Sequence, residues 1–222
     1  MELVQNLKAK VKPLGKKIVL PEYKDARVLE ATELILKEGF ATPVLVGNPE
    51  EVKALAQKEG FNVDGAEIIN PETYDRLPEM IDIFVEKRAK KGMTPEKAKA
   101  TMLGDCLFFG AMLVHLGVVD GMVAGSASPT ANVLRAALQV VGTKPGLKTV
   151  SSSMFVFSNK KHMATTVCSY SPIAALSLTQ LPNNWLTSLC LPLKKLAKLA
   201  IWLTLAYPSY LSPLKVLRPL LK

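Results

Sequence analysis

An α/β fold, a doubly wound and mostly parallel sheet with helices on both faces, is what the sequence predicts for residues 1–161. Short apolar runs such as Ile18-Val19-Leu20, Val44-Leu45-Val46 and Ile68-Ile69 alternate with stretches of 10 to 15 residues whose apolar positions recur at threes and fours. Strands alternating with helices in this way need crossover connections, and those cover both faces of a parallel sheet. No internal repeat has a solenoid period.

Residues 2–12 form a short amphipathic helix, and Gly15-Lys16-Lys17 turns the chain into the strand Ile18 to Pro21. Asp25 precedes a helix with Val28, Leu29, Ala31, Leu34, Ile35 and Leu36 on its apolar side, and Gly39 stands at the C-cap position. The unit repeats with a strand over 42–47, a helix over 49–59 and a strand over 67–69. Tyr74 to about Lys91 is helical and ends in a basic cluster, a favourable place for cations near the negative end of the helix dipole. Arg88 is the member of that cluster singled out as a binding candidate.

Thr94-Pro95-Glu96 combines an N-cap hydroxyl, a first-turn proline and a first-turn acid. One helix is expected from there to Leu116, apolar nearly all round from Met102 and therefore central, with Gly117 ending it. Asp105, Cys106 and His115 on that helix look like a catalytic set. Adjacent helical side chains diverge by about 100°, however, so a packed histidine and an inert cysteine are the better reading. Asp120 before Gly121 is a turn aspartate explained by local hydrogen bonding.

The strand Met122-Val123-Ala124 runs into Gly125-Ser126-Ala127-Ser128, with Ser128 as N-cap and Pro129 opening a helix. Val133, Leu134, Ala137, Leu138 and Val141 supply its apolar stripe, and Arg135 lies in its second turn. A small-residue loop at a helix N-terminus directs backbone N–H groups and a positive dipole end at one spot, which suits a phosphate-bearing ligand. Gly125, Ser126, Ser128 and Thr130 are the loop candidates, with Arg135 as a bidentate partner reaching back over them. No GxGxxG or GxxxxGK[ST] follows a strand, so neither a dinucleotide fingerprint nor a P-loop is argued. Cys106, Cys168 and Cys190 have no metal-like spacing, and their odd number points away from a disulfide framework toward a reducing, cytoplasmic setting. The N-terminus lacks the layout of a secretory signal.

Charge divides the chain at residue 161. The first 161 residues hold 22 Lys and Arg against all 19 Asp and Glu, whereas the last 61 hold 6 Lys and Arg, no acid and no glycine, but 16 leucines. The excess of +9 is thus mostly a property of the tail and does not indicate a nucleic-acid partner.

Residues 16–157 resemble the N-terminal part of a bacterial phosphate acetyltransferase, of the phosphate acetyl/butyryl transferase family. KKIVLPE with Asp25 and Arg27, VLVGNPE, FGAMLVHLGVVDGMVAG and TANVLRAALQVVGTKPGLKTVSS carry the resemblance. It implies transfer of an acetyl group between coenzyme A and phosphate, with acetyl phosphate as the other substrate. It further implies an isocitrate-dehydrogenase-like two-domain subunit that usually dimerises, no metal and no bound cofactor. Arg135 in VLRAALQ matches an arginine that holds phosphate, and Arg88 matches another. The family often has a histidine in the loop where this chain has Ser126-Ala127-Ser128.

The resemblance is expected to stop near Lys161. If one nucleotide is missing upstream, each original codon is the third base of one observed codon plus the first two of the next. Met163-Ala164 then forces glycine, and residues 162–174 permit the family-like string YGDNGVLLFADC. Residues 178–190 permit AEQLADIAV after Asn-Pro and Thr or Ala, and 209–218 permit LSFSTKGSA. The sequence therefore predicts residues 1–147 as an α/β domain with half of the site, 148–161 as the first strand of a second domain, and 162–222 as an out-of-frame tail without native fold. The catalytic groups are not assigned, and little or no transferase activity is expected. Two rivals are a membrane-surface protein acting through the leucine-rich basic tail and an NAD(P)-dependent dehydrogenase of similar fold. Proline interruptions and a nine-residue apolar run, against about 20 for a span, make any membrane affinity of the tail incidental.

Overall fold

Four short apolar runs pair in parallel, and the helices between them divide over the two faces of the resulting sheet. A computed structural model describes residues 2–143, 151–156 and 167–172. The first part comprises α1 (Glu2–Val11), β1 (Lys17–Leu20), α2 (Ala26–Glu38), β2 (Thr42–Val46), α3 (Pro49–Glu59), β3 (Glu67–Ile69), α4 (Leu77–Arg88), α5 (Pro95–Gly104), α6 (Cys106–His115), β4 (Gly121–Met122) and α7 (Thr130–Val140). The strand order is β3-β2-β1-β4, all parallel. The predicted fold class is borne out.

Strand alternation splits the core. Val19, Val44, Val46 and Ile69 face α4 to α7, and Leu20 and Leu45 face α2 and α3 through Leu29, Val52 and Ala56. Residues Leu107 to Leu113 of α6 are all buried, so this helix is central, as its all-round apolarity predicts. Tyr74 meets Phe109 edge to face at 5.6 Å, and Phe84 meets Phe108 at 5.7 Å, which pins α4 against α6.

Three expectations need correction. The single helix from Thr94 to Leu116 is two helices, because Asp105 leaves the helical region at φ −132° and ψ 106°. Its N–H closes α5 on the Thr101 carbonyl at 3.1 Å, and its carboxylate caps α6 by accepting from Leu107 N at 2.9 Å. Gly104 weakens helix continuity at this point, and the aspartate gains more as an N-cap than as an interior residue. Second, Ser128 does not cap α7. Pro129 is the N-cap and makes no side-chain cap bond.

Third, the buried face of α7 is set by Ala136 and Val140 with Val133 packed beside them, while Leu138 and Val141 are 46% and 44% exposed. The predicted stripe is thus turned around the helix axis, since small Ala136 lets α7 approach α6 closely. Beyond residue 161, Val167–Pro172 forms a strand, β6, antiparallel to β5 (Ser151–Val156). A backbone ladder demands extended φ and ψ rather than a selected set of side chains, and Val167, Cys168 and Tyr170 tolerate it well. The remainder of the tail lies outside the described residues. The chain divides into residues 1–142 and 143–222, the second containing the β5–β6 pair.

The break at Asp105 gives a direct expectation. Asp105→Ala lowers unfolding stability by about 0.5–2 kcal/mol, and Asp105→Asn, which keeps the acceptor, costs less. Urea denaturation of the three proteins measures the difference.

Candidate functional site at the strand switch

From β1 the chain winds outward through β2 and β3, and β4 lies on the other side of β1. The carboxyl ends of β1 and β4 therefore flank the point where the winding direction reverses, the crevice in which doubly wound sheets take their ligands. Gly110 on α6 makes the approach of that helix possible. A Cβ there would lie 3.0 Å from Met122 Sδ and 3.4 Å from Pro21 Cβ, so a larger residue would crowd the Met122 side chain and Pro21.

Pro21-Glu22 leaves β1 and Gly125 to Ser128 follows β4. Glu22, only 6% exposed, accepts at Oε2 from Gly125 N at 2.5 Å, Ser126 N at 2.9 Å and Ser126 Oγ at 3.1 Å. At Oε1 it accepts from Ala127 N at 3.3 Å and Ser128 N at 2.7 Å. Gly125 has φ +105°, a conformation that a side chain would strain and that starts the curve of the loop around the carboxylate. On the loop's other edge Arg27 donates to the Ser126 carbonyl at 2.5 Å while gripping Asp25 with Nε at 3.0 Å and Nη2 at 2.6 Å. Asp25 also caps α2 by accepting from Arg27 N at 3.0 Å.

The N–H groups of this loop are thus engaged by a side chain of the protein. Burial pushes the Glu22 carboxyl up, but the hydrogen bonds it accepts from the 125–128 loop outweigh it and hold the group below its ordinary value of 4.5. The Arg27 guanidinium holds Asp25 below its usual range. Asp120, read from sequence as a local turn residue, instead pairs with Lys16 Nζ and accepts from Lys17 N at 2.9 Å. It ties the starts of β1 and β4 together, and the Lys16 contact lowers its pKa.

The remaining candidates are spread around this centre. Arg135 is exposed, and its Nη1 donates to Asn132 Oδ1 at 3.2 Å, one turn toward the loop rather than onto it. Thr130 is exposed at the first position of α7. Arg88 ends α4, which packs against α7, and its buried Nε has no hydrogen-bond partner among the described residues. Cys106, mostly buried, has its thiol pushed up to about 11 by burial first and then by Asp105 and Glu22, which removes it as a thiolate nucleophile at neutral pH. His115, on the last turn of α6, is exposed rather than packed. Partial loss of solvent around its ring and then Lys87 lower its pKa. Among the described residues no group of three or more His, Cys, Asp or Glu could hold a metal, and no helix is long and apolar enough to cross a membrane.

Glu22 and Arg27 were not assigned a role from sequence. The available signal was an acid directly after an apolar parallel strand, in a chain that elsewhere places four consecutive loop N–H groups at a second strand end. Nothing local connects residues 103 to 106 positions apart.

A parallel sheet with a polar loop at its switch point defines a doubly wound α/β domain. The family model of phosphate acetyl/butaryl transferase matches residues 2–175, and the chain belongs to that family. The match runs past Lys161, where the sequence resemblance was expected to stop. A phosphate acetyltransferase of Thermoanaerobacterium thermosaccharolyticum is 44% identical over 152 residues, covering 68% of this chain and 45% of that protein. One from Staphylococcus aureus is 36% identical over 171 residues, 77% of this chain and 52% of that one. Among solved structures, the EutD phosphotransacetylase from Staphylococcus aureus aligns with TM-score 0.63 at 37% identity, covering 72% of this chain and 48% of its own. A phosphotransacetylase from Streptococcus pyogenes aligns with TM-score 0.66 at 38% identity, covering 75% and 50%. The chain spans about half the length of the relatives it matches.

A carboxyl whose pKa is lowered by folding stabilises the fold fully above its unfolded value, and the contribution disappears as pH falls through the folded value. Glu22 makes wild type more stable than Glu22→Gln near neutral pH, and the gap closes on acidification below about 4.5. Urea midpoints of the two proteins across that range measure it. A gap independent of pH would contradict the charged-carboxylate account.

Proposed function

We propose that residues 1–142 carry half of an acyl-phosphate and coenzyme A site of the phosphate acetyltransferase type. The observation that carries this reading is Arg88, whose buried Nε has no hydrogen-bond partner among the described residues. A buried guanidinium donor without an acceptor is costly and is relieved by an anion, and bidentate geometry suits phosphate. Arg135, on the neighbouring helix and committed among the described residues only to a neutral amide, supplies a second cation. Thr130 lies on the rim at the start of α7. In the reaction so inferred, coenzyme A thiol attacks the carbonyl of acetyl phosphate and phosphate departs, while the arginines hold the phosphate oxygens.

Little or no turnover is expected of this chain. The groups that activate the thiol fall, by resemblance, in the family's second domain, and residues 162–222 are read as written out of the family's frame. The absence of acids and glycines from those residues supports this reading. Chemistry of this kind needs the reacting groups held together, so a half-site binds without accelerating transfer. A reducing, cytoplasmic setting fits the substrates.

Three measurements test the proposal. Coenzyme A release from acetyl-CoA and phosphate should stay near background, and turnover comparable to a full-length relative would refute the inactivity. Arg88→Ala and Arg135→Ala should each weaken binding of phosphate or coenzyme A by roughly 10- to 100-fold, the loss expected for one charge-assisted contact. Arg88→Lys, which keeps charge but loses the Nε donor, should recover only part of it. Finally, a single-base insertion within codons 157–165 should restore an open family-like frame. If none does, the frame reading fails.

A further inference from the structure

The loop that follows β4 has the form of an anion nest, four consecutive N–H groups curved around one point. That point is filled from within. Both oxygens of Glu22 are engaged, Oε2 by Gly125 N, Ser126 N and Ser126 Oγ and Oε1 by Ala127 N and Ser128 N, at 2.5 to 3.3 Å. A carboxylate offers about four acceptor sites, so five donors exhaust it, and none of these N–H groups is left for a second anion.

We propose that Glu22 is the resident anion of the 125–128 loop, a positioning residue that fixes the loop's shape and closes its N–H groups to phosphate. External phosphate is therefore left to side-chain cations, and the loop contributes a wall rather than ligands. Three features of the fold support this assignment. Glu22 is nearly inaccessible at 6% exposure, so solvent does not compete for it. Arg27 holds the outer edge of the same loop through the Ser126 carbonyl, anchoring it from two sides. A phosphate dianion entering the nest would stand against a buried carboxylate, a repulsion strengthened by the low local dielectric. Glutamine at this position keeps one acceptor oxygen but turns an NH2 toward N–H donors, so it cannot reproduce the arrangement.

The test uses the full 15N-labelled chain and inorganic phosphate at neutral pH. In wild type the backbone amides of Gly125, Ser126, Ala127 and Ser128 should exchange slowly and should not shift as phosphate is added. In Glu22→Gln the same amides should exchange at least about tenfold faster, which is local opening without global unfolding, and should shift with phosphate. In Glu22→Ala, added formate or acetate should restore slow exchange by standing in for the missing carboxylate. Saturable phosphate shifts at the wild-type loop amides would overturn the proposal, as would unchanged exchange in Glu22→Gln. Should the variants fail to fold, the wild-type titration decides alone. The inference does not depend on the transferase reading. A silent Arg88 Nε–H resonance during the titration would count against the arginine half-site and leave the loop result intact.

Discussion

One carboxylate joins the ends of two adjacent strands that are more than 100 residues apart in sequence. β1 and β4 share only a two-residue register, Ile18 with Gly121 and Val19 with Met122, so their ladder alone is a weak bond between them. Glu22 adds four backbone contacts at one end of that ladder, and Asp120 adds Lys16 and Lys17 at the other. The position of α7, and with it Arg135, follows from where the loop is held.

Burying a carboxylate is unfavourable unless its lone pairs are met, and here they are met by peptide dipoles rather than by a cation. That choice matters. The exposed pairs Arg76–Glu79 and Lys37–Glu33 lie in high dielectric and contribute little. Glu22, by contrast, is shielded, and charge-assisted N–H bonds are roughly twice as strong as neutral ones. Its neighbour Cys106 shows the cost of the same field, since a thiolate there would face both Asp105 and Glu22.

Periodicity made most of the first unit legible. The bounds of α3 and β3 coincide with their sequence signals, because Asn48-Pro49 and Gly60 punctuate one and flanking turns the other. What escaped was whatever depended on two local preferences in competition or on distant partners. Asp105 lies in an apolar run that reads as one helix, and only its capping preference, set against Gly104, divides it. Ser128 has the right residue type for a cap, but its N–H is committed to Glu22 and the helix starts after Pro129. Leu138 and Val141 fit an apolar stripe as well as Ala136 and Val140 do, and the contact with α6 selects the smaller residue. The role of Glu22 needed the pairing of β1 with β4, which no local pattern encodes.

The sheet tapers toward both sides. Its inner strands have four and five residues, while the edges β3 and β4 have three and two. An edge strand exposes unpaired N–H and C=O groups that recruit other chains, and a short edge offers too few to hold a foreign strand. At one edge, moreover, Glu67 is drawn to Lys17, which sets charge beside the open ladder. A nascent chain that has formed only this domain therefore presents little template for edge-to-edge growth. The weak interstrand pairing at β4 and the small open template at the edges are two results of the same brevity.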